Sequence, residues 1–386
     1  MAARRNGMGI FTLTRQCGRG YSFMRTGTIT GDLVRWYEAA RRDLPWRLDS
    51  DPYRIWVSEV MLQQTRVEAV IPYFERFMGR FPTLDSLAAA DGDEVDKFWE
   101  GLGYYSRARN LHSAVREVCE RYEGTVPASY DDFRSLPGVG DYTAGAVLSI
   151  AYNQPLPAVD GNVLRVIARL FAIPDDVMSQ KTRKTVVGIV SGLLPVGRAS
   201  AFNQALMELG ALLCMPKSPH CAECPVAHHC AARQRGLQTS LPVRARKSAP
   251  KDVHLTAVLA QTADDGSILV RRRPARGLLA GLWEIPNWAA PEPNSVDLET
   301  TVLSAARSQA LSNMEPLRGR RLEEMHCLGQ YTHTFSHRRW IMSVYHAQVD
   351  ARSHCREPYR WVDRQERTMY TFGQVFNKIF REHLAQ

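Results

Sequence analysis

The sequence predicts a multidomain protein in which an all-α region is followed by a C-terminal α/β unit. Three observations predict it. The chain has 386 residues, more than one hydrophobic core usually holds. Helical periodicity dominates from about Thr30 to Arg235, broken only by short Pro, Gly and Asp stretches. From Val253 onward the pattern shifts to period-two alternation mixed with amphipathic helices. Apolar residues make up 45% of the chain, enough to build real cores, and no run of eighteen apolar residues is present to span a bilayer. The net charge of +9 points toward a polyanionic partner.

Taken in order, residues 1–29 form a basic extension. The first thirty-one residues hold five arginines and no acid. That composition fits a transit peptide, a disordered tail, or a start codon read too early, with Met8 and Met24 as alternatives. No secretory apolar core follows, so a disordered tail and a reducing cytoplasm are expected. Asp51-Pro52 reads as an N-cap with proline at the first helical position, opening "RIWVSEVMLQQTRVEAV" as one helix. Further amphipathic helices are expected at "LHSAVREVCERY", "YTAGAVLSIAY", "GNVLRVIARLFAI" and "AFNQALMELGALL". Residues 236–251 close a basic linker. The stretch Ala231–Lys251 carries six basic residues, two prolines and no acid. Beyond it, "HLTAVLAQ" and "SILVRRR" read as strands around the turn "TADDG", and "RRWIMSVYHAQV" as another. Helices are expected near "LETTVLSAARSQAL" and over "TFGQVFNKIFREHL".

Four of eight cysteines, Cys214, Cys221, Cys224 and Cys230, are spaced C-x6-C-x2-C-x5-C. A single C-x2-C flanked by one thiol on each side suits a loop wrapped around one cuboidal iron–sulfur cluster. His220, His228 and His229 lie close by and keep zinc as the alternative. Cys17, Cys119, Cys327 and Cys355 are scattered and outline no disulfide framework.

Leu136-Pro137-Gly138-Val139-Gly140 precedes a helix. Glycines allow close backbone approach, and the helix N-terminus offers free N–H groups, so the turn can hold a phosphate without reading sequence. An ordinary helical-hairpin turn is the alternative. Glu59 sits among Ile55, Trp56 and Leu62 at helical spacing. Burial there would raise its pKa toward what a general acid needs; a structural pairing with Arg66 or Arg107 is the other reading. Asp160 enters a helix from a strand-like segment, where a plain N-cap, shared with Asn162 as candidate, is the simplest role.

The hairpin turn, then "VDGNVLRV", then the four-cysteine loop, in that order, resemble the endonuclease III superfamily of DNA base-excision glycosylases, the helix–hairpin–helix superfamily. "LPWR", "SEVMLQQT", "IPYFERFM" and "GLGYYSRARNLH" resemble the adenine DNA glycosylases, the MutY type. The resemblance covers about Gly31 to Gln386. It implies an all-α helix–hairpin–helix core with an iron–sulfur cluster loop, plus a C-terminal α/β Nudix-like domain. A barrel lobe would span 52–157, a cluster lobe 30–51 and 158–235, and the Nudix-like domain 252–386.

It implies a monofunctional enzyme that excises adenine opposite 8-oxoguanine or guanine in double-stranded DNA. The residue matching Glu59 protonates adenine, and the one matching Asp160 stabilises the sugar cation. Asn162 and Tyr142 assist. Tyr142 stands where lyase relatives carry a lysine, and no lysine occurs between Lys97 and Lys181. The positions matching Leu62, Gln64 and Tyr104 lie beside the opposite base, with Gln63 near them. Gly138, Val139 and Gly140 match the phosphate-binding turn. Phe335, Ser336 and His337 match a loop that touches 8-oxoguanine; a polar hairpin turn is the simpler reading. The cofactor implied is a [4Fe-4S] cluster held by Cys214, Cys221, Cys224 and Cys230. No R-E-x-x-E-E run follows "GLLAGLWEIP", so recognition rather than pyrophosphatase chemistry is expected of the Nudix-like domain. A monomer that binds no membrane completes the expectation. The rivals are an oxidised-pyrimidine glycosylase with lyase activity and a non-catalytic lesion sensor.

Overall fold

The structure, a computed structural model, describes residues 26–245, 249–290, 299–318 and 322–384. Residues 1–25, with Cys17, Met8 and Met24, lie outside the described residues. In chain order the helices are α1 (Thr26–Ala40), α2 (Pro52–Met61), α3 (Val67–Arg80), α4 (Leu84–Ala88), α5 (Gly92–Phe98), α6 (Ser106–Arg121), α7 (Tyr130–Ser135) and α8 (Asp141–Tyr152). Then come α9 (Gly161–Leu170), α10 (Gln180–Leu193), α11 (Ala199–Leu212) and α12 (Ala231–Gln234). Strands β1 (Lys251–Thr262), β2 (Ile268–Arg272), β3 (Trp283–Glu284) and β4 (Asn287–Ala289) follow. Helix α13 (Glu299–Asn313), strands β5 (Glu323–Thr334), β6 (Arg338–Val349) and β7 (Tyr359–Val362), and helix α14 (Gln374–His383) complete the chain.

Contacts divide the described residues into two units, one within 26–41 and 153–244 and one within 42–152 and 245–384. The first unit packs α1, α9, α10 and α11 around Leu33, Tyr37, Ile167, Val190, Phe202 and Leu209. Helix α1 begins earlier than expected. Thr26–Ile29 belong to it, because Ile29 is 6% exposed and completes this core, which draws the first helical turn in with it. Helix α9 ends at Leu170, short of Ile173, since Ala172 turns left-handed at φ 49°. The segment expected as linker starts out packed. Leu241 is buried with Ala172 and Ala232, Arg169 Nε donates to Leu241 O at 2.8 Å, and Val177 N–H donates to Val243 O at 3.1 Å.

In the second unit, Asp51 caps α2 as expected, accepting from Tyr53 N–H at 2.8 Å with Pro52 at the first position. The helix expected to run on through Val70 is instead two. Helix α2 stops at Met61, Gln64 takes φ 60°, and α3 begins at Val67. The cause is non-local. Arg107, on α6, takes the carbonyls of Val60 (2.9 Å), Met61 (2.8 Å) and Gln63 (2.6 Å), which a continuous helix would have used.

The seven-stranded sheet runs β3-β2-β1-β6-β5, with β4 on β1 and β7 on β2. Strands β1 and β6 are parallel in unbroken register from Lys251↔Arg338 to Thr262↔Val349. Alternation along β1 sends Leu255, Ala257 and Leu259 to the α14 face and Val258 and Ala260 to the α13 face. Among the described residues no helix is long and apolar enough to cross a membrane.

Glu284 ties β2, β3 and β4 together. It is fully buried and accepts from Arg271 Nη2 (2.6 Å), Arg271 Nε (2.9 Å), Arg273 and Asn287 Nδ2 (2.8 Å). Removing its charge takes the carboxylate partner from two partly buried guanidinium groups. Glu284→Gln is therefore expected to destabilise the C-terminal region by about 3–5 kcal/mol, read by denaturant unfolding; a change under about 1 kcal/mol would show the network to be dispensable.

Candidate active site and cluster loop

Glu59 sits on the buried face of α2, 5% exposed between Trp56 and Val60. The Tyr142 hydroxyl donates to Glu59 Oε2 at 2.6 Å. Tyr142 is the second residue of α8, immediately past the turn that joins α7 to α8. That turn requires glycine at position 138. Its φ is 74°, and a Cβ there would meet Asn110 Cβ at 2.6 Å. Val139 is buried, its N–H donates to Leu136 O at 3.1 Å, and Arg134 clamps the turn by donating to Val139 O at 2.8 Å and Asp141 Oδ1 at 2.7 Å. Hydrogen bonding to Arg134 holds the Asp141 carboxyl below the usual range. Gly140 starts the capping pattern, its carbonyl accepting from Ala144 N–H at 2.9 Å.

Arg107 organises two loops beside this helix. Besides the α2 carbonyls it donates to Thr65 Oγ1 (3.3 Å), Leu102 O (3.4 Å) and Gly103 O (3.0 Å), and its guanidinium lies over the rings of Trp99 and Tyr104. Burial pulls it down to about 10. The alternative of an Arg107 that serves Glu59 is replaced by one that serves backbone. The first loop presents Leu62 half-buried and Gln64 exposed, and Gln63 Nε2 donates to Thr143 Oγ1 at 3.4 Å. The second splits the tyrosine pair. Tyr105 enters the core at 6% exposure, while Tyr104 stays 46% exposed with φ 49°. The Tyr104 hydroxyl hydrogen-bonds Ser336 Oγ at 2.9 Å. Ser336 lies in the turn between β5 and β6, with Phe335 half-buried on His333 and Trp340 and with His337 exposed. The three form a hairpin turn, Phe335 N–H donating to Arg338 O at 2.7 Å.

In the first unit, Asp160 is the N-cap of α9. It accepts from Val163 N–H at 2.7 Å and from Asn162 Nδ2 at 2.9 Å. Burial pushes its carboxyl above the usual aspartate range, against the lowering effect of these hydrogen bonds and of Arg165. Two arginines that the sequence reading passed over connect this cap to the cysteine loop. Arg165 donates to Asn162 Oδ1, Gly210 O and Cys214 O, each at 2.8 Å. Arg169 donates to Cys214 Sγ (3.3 Å), Met215 O (2.7 Å) and Pro216 O (2.9 Å). The signal was present: two cations one turn apart among the apolar residues Val163, Leu164, Val166, Ile167 and Leu170 of one helix.

Cys214, Cys221, Cys224 and Cys230 line one small cavity of about 30 Å³, with Arg169 and His220 on its wall. Burial pushes the Cys224 thiol up to about 11 and raises Cys230 as well, while backbone N–H groups of Val226, Ala232 and Arg233 point at these sulfurs. A dry pocket of four thiols with backbone donors suits an all-cysteine cluster. His228 and His229 turn away to Asp32, so they do not supply the zinc alternative around these thiols.

Three family models match the chain. One for HhH-GPD superfamily base excision DNA repair proteins covers residues 57–191, one for NUDIX domains covers 257–382, and one for the iron–sulfur binding domain of endonuclease III covers 214–230. The human adenine DNA glycosylase is 36% identical across 92% of this chain and 74% of its own length. That of Schizosaccharomyces pombe is 31% identical across 90% and 87%. The chain belongs to the adenine DNA glycosylase family. It is a DNA glycosylase of base excision repair, and its four-cysteine loop binds a [4Fe-4S] cluster. Among solved structures, a thermostable thymine-DNA glycosylase superposes with a TM-score of 0.51 at 28% identity, across 55% of this chain and 97% of that one. The cluster's ligands close the loop that Arg165 and Arg169 fasten to α9.

Arg107→Lys keeps the charge but loses the fork that holds six acceptors. The expected cost is on the order of 1–3 kcal/mol in urea unfolding, with weaker binding of duplex DNA. Unchanged stability and binding would mean that the two loops hold their shape without it.

Proposed function

We propose that the enzyme removes adenine mispaired with 8-oxoguanine or guanine from double-stranded DNA, hydrolysing the N-glycosidic bond and leaving an abasic site. The observation that carries this reading is the Tyr142–Glu59 hydrogen bond at 2.6 Å. It sets a buried carboxyl against a phenol at the position where lyase relatives have their lysine. In this reading Glu59 donates its proton to adenine N7. The C–N bond then breaks with its electron pair leaving on the base, and the sugar acquires oxocarbenium character. Asp160, held by Asn162 and the α9 N-terminus, stabilises that cation, by charge or by a transient bond to the anomeric carbon. Glu59, now ionised, takes a proton from water as it adds to the sugar, dividing the work as paired carboxylates do in glycosidases. Tyr142 positions the Glu59 carboxyl.

The turn around Gly138, Val139 and Gly140 binds the DNA backbone, and Leu62, Gln64 and Tyr104 hold the opposite base while adenine is extruded. Ser336, hydrogen-bonded to Tyr104, reads the oxidised edge of 8-oxoguanine, flanked by Phe335 and His337. The chain works as a monomer in a reducing cytoplasm. The barrel, cluster and Nudix-like lobes serve these steps, and the cluster supports the DNA-facing loop.

Single-turnover cleavage of an adenine:8-oxoguanine duplex, with and without alkali, tests the reaction. Strand breaks only after alkali are expected, and Glu59→Gln should lose excision by at least about a hundredfold while still binding the duplex. Breaks without alkali would overturn the monofunctional reading, and full activity of the variant would remove Glu59 from the chemistry. The raised Asp160 carboxyl gives a pH prediction. Only the ionised form stabilises a cation, so excision should fall as pH drops through a value above the ordinary 3.8 of aspartate. A rate that still climbs as pH falls to the ordinary 3.8 would exclude the role.

A further inference from the structure

We infer that the first unit carries a second metal site, separate from the cluster, in which Asp32, His228 and His229 hold a divalent cation of the zinc type. Asp32 comes from α1, and the two histidines from the short helical turn just before Cys230. The Asp32 Oδ2 atom lies 3.3 Å from His228 Nε2 and 3.2 Å from His229 Nε2. The three ligand atoms all fall within 4.8 Å of one another. A tetrahedral zinc with bonds of about 2.0–2.1 Å sets its ligand atoms about 3.3–3.4 Å apart. Two of the three edges therefore already have the required length.

The surroundings fit the same reading. Arg35 holds the other carboxylate oxygen, Asp32 Oδ1, and so fixes the orientation of the ligand oxygen, as an outer partner does in metal sites. The His229 side chain is 5% exposed, and its Nδ1 has no hydrogen-bond partner among the described residues. Its Asp32-facing nitrogen is thus the atom that offsets burial of the ring. The His228 and His229 rings stand 3.8 Å apart, centroid to centroid. The His228 side chain is 61% exposed, so an ion can reach its ring nitrogen from solvent. Two imidazoles and a carboxylate favour zinc, cobalt(II) or nickel(II) over magnesium or calcium. Such an ion would join α1 to the cysteine loop, stapling a helix to the segment that holds the cluster.

The test uses full-length, untagged protein with its cluster intact, stripped of loose divalent ions by EDTA. It is titrated with zinc chloride against a chromophoric chelator, desalted, and assayed for zinc and iron. About one zinc per chain is expected, with iron content and cluster absorbance unchanged and with a raised Tm. His228→Ala, at an exposed position, should weaken zinc binding by at least about tenfold and abolish the Tm rise while keeping its iron. Asp32→Asn should do the same and serves as the second variant. Failure to bind zinc, equal binding by both variants, or zinc uptake matched by loss of iron would each overturn the site.

Discussion

The arrangement of the second unit depends on one buried cation. Arg107 is 8% exposed and finds its partners among backbone carbonyls rather than carboxylates. A desolvated guanidinium is costly unless its donors are filled, and a helix C-terminus offers unfilled carbonyls carrying negative dipole charge. The end of α2 and the loop before α6 satisfy it together. In doing so they are fixed to each other, and each is forced through a left-handed residue, Gln64 at φ 60° and Tyr104 at φ 49°. Neither residue is glycine, so each conformation is sustained by its surroundings. These are the two loops that carry the residues proposed to hold the estranged base. The guanidinium's position over the Tyr104 ring completes the coupling.

The first unit solves a related problem with two cations. Arg165 and Arg169 project from an apolar helix toward the backbone where the cysteine loop begins. Gly210 lets α11 approach so closely that a Cβ there would stand 2.6 Å from Asn162 Cβ. The consequence is a continuous set of hydrogen bonds from Asp160 through Asn162 and Arg165 to the carbonyl of Cys214, a cluster ligand. The cluster is thereby joined by hydrogen bonds to Asp160, which gives its proposed scaffold role a physical route.

What the sequence made legible was local. Asp51-Pro52 announces a helix start because capping is decided within three residues. Cysteine spacing announces a metal loop because ligand geometry restricts it, and the alternation of β1 and β6 announces a sheet because one period fits one pleat. What stayed hidden depends on distant partners. The break after Met61 is imposed by an arginine forty-six positions on, as the bond between Arg107 and the Met61 carbonyl shows. The separate fates of Tyr104 and Tyr105 are set by a serine 232 residues away and by a core that no periodicity describes. Leu241 looked like part of a basic linker because charge dominates its neighbours, yet a single leucine sufficed to dock that segment. The Asp32–histidine cluster escapes any spacing rule, since one ligand lies near residue thirty and two lie beside Cys230.

Asp160 shows why the capping and chemical readings of one residue need not compete. A cap must point its carboxylate at the free N–H groups of a helix N-terminus, which fixes the rotamer and lends the site a positive dipole end. A group that stabilises a cation must be equally fixed, because a mobile charge would spend its attraction on reorganisation. The two requirements use different oxygens here. Oδ1 accepts from Val163 N–H, and Oδ2 accepts from Asn162, whose own carbonyl oxygen is held by Arg165. Burial opposes ionisation while the Val163 and Asn162 donors and the nearby charge of Arg165 favour it, and the balance leaves the carboxyl above the ordinary range. Such a carboxylate is poorly solvated and gains more from a nearby positive centre than an exposed one would. The cap that gives α9 its start therefore also supplies the condition under which the proposed catalytic role is strongest.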